Sequence, residues 1–116
     1  MDIEVRREDY LDVDDALKRI GGNVDLYKRL LKRFLDGNDI ETLENALSSG
    51  ITDDAVRAAH SIKGVGANLS LVKVTSISTK LEHEIKDGLD YSANLDELKQ
   101  VYGVTLKVIA EYVNGS

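Results

Sequence analysis

The chain has 116 residues, 42% of them hydrophobic, enough for one domain with an apolar core that needs no covalent staples. Fifteen Lys and Arg against twenty-one Asp and Glu leave a net charge of −6, so no basic surplus exists to neutralise a phosphate backbone, and nucleic acid is not expected as a partner. Cysteine is absent, the opening residues 1–10 are too charged for a signal peptide, and no run approaches the roughly 20 apolar residues of a membrane span, so a cytoplasmic chain without disulfides or thiolate metal sites is expected.

Proline is absent as well, and apolar residues recur every three or four positions, which predicts helices joined by short turns. A short first helix over about 13–20 follows Asp12, a good N-cap residue, and stops at Gly21-Gly22. The second covers about 24–36, with Leu26, Leu30, Leu31, Phe34 and Leu35 as its apolar stripe. Beyond Gly37-Asn38 the pattern resumes at Asp39 and runs through Ile40, Leu43, Ala46 and Leu47 to Gly50, and one long kinked helix is expected across the interruption. Thr52-Asp53-Asp54 supplies a cap and first-turn acids for a helix over about 53–68. Ser70 or a neighbour starts the next, which carries Val74, Ile77, Leu81 and Ile85 to about residue 87 and ends at Gly88. Residues 72–79 are rich in β-branched side chains, which local preference would make a strand, but no second strand is available to pair with it. Helix is therefore expected there too. The last helix, about 92–113, shows Leu95, Leu98, Tyr102, Leu106, Ile109 and Val113 in a near-heptad seam. The closing Asn114-Gly115-Ser116 reads as a frayed tail or the edge of one module in a longer protein. Short connections between long helices imply antiparallel neighbours. The expected fold is all-α: an up-and-down antiparallel four-helix bundle with a short extra N-terminal helix, one domain over 1–116 with its core at about 12–113.

The helix over 53–68 separates into two faces. On a wheel with His60 at zero, Ala55, Ala58, Ala59, Ile62, Val65, Gly66 and Leu69 gather within roughly 60° of the opposite side, the stripe a bundle core needs. His60 therefore points outward. Val56 and Gly64 lie within about 40° of it, Ala67 at about 20°, and Arg57 and Lys63 at about 60°. An unperturbed imidazole is largely neutral near pH 7, so a ring nitrogen can attack an electrophile without a strong base. Lys63, one turn on, can offset the charge of an added phosphoryl group. A glycine inside a helix costs about 1 kcal/mol relative to alanine, so Gly64 needs a reason, and removing the side chain at i+4 opens a close approach to His60. Val56, Arg57 and Ala67 would complete a docking surface around it. Each residue alone has a plainer explanation: a solvated histidine, an ordinary surface lysine, glycines at 64 or 66 serving helix packing.

The string Ala58-Ala59-His60-Ser61-Ile62-Lys63-Gly64 resembles the signature of the histidine phosphotransfer (HPt) domain family. The likeness continues through Ala67-Asn68-Leu69 and Leu81-Glu82, and upstream through Leu17-Lys18-Arg19-Ile20-Gly21-Gly22-Asn23 and Leu30-Leu31-Lys32-Arg33-Phe34. It covers about residues 12–87, and the final helix matches only in pattern. His-Ser-Ile-Lys-Gly also resembles the phosphotransfer domain of chemotaxis kinases, while the opening segments look more like modules of hybrid sensor kinases. One departure is Ser70, where the family often has glycine; serine does not easily adopt positive φ. The resemblance implies that His60 carries a phosphoryl group on Nε2, that Lys63 neutralises it and that Gly64 clears the approach. It implies a carrier rather than an enzyme, with response-regulator receiver domains as partners and a histidine kinase as a further one. Catalysis would come from the receiver's aspartate and Mg²⁺, so no metal or other cofactor is expected on this chain, which is expected to be monomeric.

A dimerising histidine kinase domain fits less well, since Ser61 rather than an acidic residue follows His60 and no proline comes after it. A di-metal bundle would need Glu-x-x-His motifs, but Arg57 precedes His60 by three and Lys80 precedes His83 by three. His83, between Glu82 and Glu84, reads as a solvated surface histidine. An interaction-only bundle that binds receivers without accepting phosphate stays open as the alternative.

Overall fold

A computed structural model describes residues 6–115, all of whose regular structure is helical: α1 (Arg7–Tyr10), α2 (Val13–Arg19), α3 (Val24–Asp36), α4 (Asp39–Ser48), α5 (Thr52–Leu69), α6 (Val72–Lys86) and α7 (Ser92–Gly115). The ends of α2 and α3 follow from local chemistry. Asp12 Oδ1 accepts the Asp15 amide hydrogen at 3.1 Å, Asn23 Oδ1 accepts that of Leu26 at 3.0 Å, and Gly21 and Gly22 turn between the helices with φ of 71° and 79°.

Three expectations are corrected. The kinked helix expected across Gly37-Asn38 is two helices, because Gly37 is extended (ψ 166°) and Asn38 (φ −122°, ψ 37°) is also non-helical. A glycine followed by an asparagine holds the chain in helix only weakly, so two adjacent residues leave it together. Thr52 is the first residue of α5 rather than its cap; Ile51 stands at the N-cap with no side-chain bond, and Asp53 and Asp54 complement the exposed amide end. Of Ser70 and its neighbours, any of which could start α6, Leu71 stands at the N-cap. The final helix continues through Asn114 and Gly115, so that much of the expected tail is ordered helix; Ser116 and residues 1–5 of the charged opening lie outside the described residues. The one-turn helix α1 was not foreseen within that opening. By contrast the β-branched stretch 72–79 is helical, and Thr75 and Thr79 turn their hydroxyls onto the carbonyls of Leu71 and Thr75, each at 2.8 Å.

The helices pack in a ring: α4 against α5, α5 along α6, α6 against α7, and α7 against α3. Helix α3 also meets α5, and α1 lies against α6 and α7. Leu31, Leu43, Ile62 and Leu81, from α3, α4, α5 and α6, and Leu98 and Ile109 from α7 are fully buried in the core. Burying a leucine or isoleucine contributes about 1.5–3 kcal/mol relative to exposure.

The α5–α6 contact is the closest, and glycine makes it so. A Cβ on Gly66 would lie 2.6 Å from Thr75 Oγ1. The two-residue connector that follows turns through Ser70 at φ 58°, the one non-glycine residue with positive φ among the described residues. Serine holds that conformation because α2 grips it. Ser70 Oγ donates to Asp15 Oδ2 at 2.7 Å, Arg19 donates to Ser70 Oγ and to the Ala67 carbonyl, and the Asp12 amide donates to the Ser70 carbonyl at 3.0 Å. Tyr27 Oη adds a bond to the Leu69 carbonyl at 2.7 Å, so the last carbonyls of α5 are capped from α2 and α3. The turn is therefore fixed, and with it the register of α5 against α6. No helix among the described residues is long and apolar enough to cross a membrane.

Candidate functional site

The inner face of α5 is the one the wheel requires: Ala55, Ala59, Ile62, Gly66 and Leu69 are buried, with Ala58 and Val65 half-buried. That fixes the outer face. His60 lies there with its side chain 64% exposed, and Gly64 opens onto empty space, with nothing within 4 Å of a Cβ built on it. The structure thus separates the two glycines: Gly66 is required by packing and Gly64 is not.

The imidazole is held by a residue of the next helix. His60 Nδ1 lies 3.1 Å from Glu82 Oε2, and Lys63 Nζ lies 2.7 Å from Glu82 Oε1. A carboxylate can only accept, so Nδ1 carries the hydrogen and a neutral ring keeps its lone pair on Nε2. Glu82 is only 19% exposed, and the hydrogen bond from Lys63, then that from His60, holds its carboxyl below the ordinary glutamate value against the opposing effect of partial burial. It is therefore ionised under the conditions in which the imidazole is neutral, and it orients both side chains at once. Lys63, expected to meet incoming charge directly, is turned to Glu82 in this state; its short separation from His60 along the helix keeps the ammonium one turn from the ring.

The other expected residues divide. Arg57 is exposed, with a long contact to Asp54 at 3.9 Å, and Ala67 is exposed although its carbonyl is taken by Arg19. Val56 is half-buried and packs on the core, so only part of it can contribute to a surface. His83 stands apart from the site, exposed and 3.2 Å from Asp87 Oδ2. Among the described residues no group of three or more His, Cys, Asp or Glu could hold a metal ion. Glu82 is the functional residue that reading the helix alone missed. Its only sequence signal is the Leu81-Glu82 pair, in which Leu81 is core and the next residue must fall beside it, at the edge facing α5.

The site is thus an exposed imidazole on a helical bundle, its Nδ1 held by a carboxylate of the next helix and its α5 neighbour at i+4 a glycine with open space above it. The model of the Hpt domain matches residues 29–104, about two thirds of the chain, and the chain belongs to that family. No curated protein and no solved structure matches it. The matched region holds His60, Lys63, Gly64 and Glu82, begins in α3 rather than at residue 12, and reaches into α7, which had matched only in pattern. Hpt domains are phosphocarriers of two-component phosphorelays that meet receiver domains and kinases, so this is a histidine phosphotransfer domain of such a relay.

Proposed function

We propose that His60 is the phosphoryl acceptor and that it exchanges the group with the aspartate of a response-regulator receiver domain, the chain acting as a single cytoplasmic carrier module. The observation that carries this reading is the pairing of His60 Nδ1 with Glu82, which leaves Nε2 as the solvent-facing nucleophile. Its lone pair attacks the phosphorus of the receiver's aspartyl phosphate, the N–P bond forms as the acyl P–O bond breaks, and the freed aspartate carboxylate leaves with the bond's electron pair. The ring gains positive charge while Nδ1–H stays on Glu82, so the Glu82 contact becomes charge-assisted as the product forms. The phosphoryl oxygens compete with Glu82 for Lys63, whose ammonium moves to them without leaving the carboxylate's vicinity. Reversal returns the group to an aspartate. Gly64, with open space where a side chain would stand, admits the receiver's active site, and Val56, Arg57 and Ala67 border the contact.

The test is incubation with a ³²P-labelled phosphorylated receiver and Mg²⁺ beside the His60→Gln variant. Acid-labile, base-stable label on the native chain alone is expected. Label retained by the variant would move the acceptor elsewhere, and binding without any label would make this an interaction-only bundle.

A further inference from the structure

Helix α3 is the exception in an acidic protein. The chain carries −6, yet α3 presents Lys28, Arg29, Lys32 and Arg33 within two turns. Lys28 is engaged over the Tyr112 ring at 5.4 Å, whereas Arg29, Lys32 and Arg33 are exposed and make no ion pair among the described residues. Elsewhere Arg6, Arg19, Arg57, Lys63 and Lys99 have carboxylate partners, while Lys18, Lys80, Lys86 and Lys107 make no ion pair among the described residues but lie apart from one another in the sequence. Three unneutralised cations at i, i+3 and i+4 share one helical face, where they raise the local potential instead of satisfying a neighbour.

Their position connects them to His60. Arg33 and Asn68 border a crevice of about 350 Å³ between α3 and α5, floored by Leu30, Phe34, Val65 and Leu69. Asn68 is eight residues beyond His60, about 12 Å along α5 at 1.5 Å per residue. A partner that brings its reacting atom to His60 and buries a standard patch of about 800 Å² covers a disc of roughly 16 Å radius. Arg33 borders the same crevice as Asn68, so the α3 strip adjoins the stretch of α5 that such a patch covers. The partner's chemistry is also constrained: a site that accepts phosphate on an aspartate is built from carboxylates, and two acidic proteins repel unless a local patch of opposite charge brings them together.

We propose that Arg29, Lys32 and Arg33 form an electrostatic docking strip for an acidic rim beside the receiver's aspartate, with the α3–α5 crevice taking an apolar side chain next to it. This rests on the phosphotransfer reading for the identity of the partner and adds the chemistry of its contact face. The strip acts before the chemical step, raising the rate of encounter, while Nε2 and Lys63 act in that step.

The experiment is stopped-flow binding of a panel of fluorescently labelled receiver domains, each scored separately for transfer to His60, to the native chain and to the Arg29→Glu/Lys32→Glu/Arg33→Glu variant at low and high salt. Helical circular dichroism controls for folding, and Arg29→Gln/Arg33→Gln gives a milder second test. At low salt the reversal is expected to slow association by at least about tenfold and to abolish most of its salt dependence, with the neutral variant between. Labelling of His60 at saturating receiver is expected to stay complete. Equal association rates and salt slopes for the three proteins would overturn the strip while leaving His60 as acceptor. A receiver that binds with the expected charge dependence but never labels His60 would uphold the strip and overturn the transfer. Binding of no receiver in the panel would overturn the strip.

Discussion

At the level of single residues, the site turns on Glu82, which pairs with both His60 and Lys63. Its bond to His60 fixes the tautomer, and charged hydrogen bonds of this sort contribute about 1.5–3 kcal/mol, less where a partner is as exposed as this imidazole. Glu82→Ala is therefore expected to slow transfer to His60 by about tenfold, the equivalent of about 1.4 kcal/mol. Glu82→Gln, which still accepts from Nδ1–H, is expected to lose less. Nitrogen-15 NMR of the imidazole separates this from a general loss of structure: the native ring should show Nδ1–H, and the alanine variant a mixture of tautomers. Unchanged rates with an unchanged tautomer would remove Glu82 from the mechanism. Sequence made His60, Lys63 and Gly64 legible because all three share one face of one helix, where spacing alone sets direction. It could not give Glu82 its role, because the 22 residues between them are bridged only by the α5–α6 packing.

At the level of elements, two glycines only two residues apart, on opposite faces of α5, have opposite purposes, and substitution separates them. Gly64→Ala meets nothing within 4 Å and gains helix propensity, so it is expected to raise stability by up to about 1 kcal/mol. Gly64→Leu should fold as well but transfer poorly, since the added bulk stands where the receiver must approach. Gly66→Ala places a methyl 2.6 Å from Thr75 Oγ1, which is itself held by the Leu71 carbonyl at 2.8 Å, and overpacking of this kind costs about 1–3 kcal/mol. Thr75→Ala in the same chain should restore part of the loss. Urea unfolding of the four variants checks the order, and a Gly66→Ala protein as stable as the native one would refute the packing argument. Ser70 follows similar logic: Ser70→Ala keeps the left-handed backbone without the bonds to Asp15 and Arg19, so it should be less stable than Ser70→Gly, which loses the bonds but relieves the strain. Where caps and breakers are local, as at Asp12 and Gly21-Gly22, element ends could be read to within a residue. The split at Gly37-Asn38 could not, because a kink and a break have the same local signature and the packing of α3 on α7 and α4 on α5 decides between them. Ser70 escaped for the same reason, its conformation being held by a helix 50 residues earlier.

At the level of the whole molecule, the bundle is closed by contacts between distant helices, and two of the polar ones depend on ionised carboxylates. Glu82 joins α5 to α6, and Asp15 joins α2 to the turn between them, its carboxyl lowered by the hydrogen bond from Ser70 and then that from Arg19. A group whose folded pKa lies below its unfolded value binds protons less readily in the folded chain. Its contribution is then complete above the unfolded value, near 4.5 for glutamate and 3.8 for aspartate, and is lost as the pH falls through the lower, folded one. The melting temperature should therefore be nearly level from about pH 7 to about pH 5 and fall steadily below that. The fall includes every paired carboxylate, so the diagnostic is the difference between proteins rather than the curve itself. In Glu82→Gln the group that titrates at the α5–α6 contact is gone, and the native and variant melting temperatures should converge as the pH drops below the ordinary carboxylate range. A gap that stays constant down to about pH 3 would mean that Glu82 contributes through packing rather than charge, and the carboxylate would lose its place as the electrostatic link between the two helices.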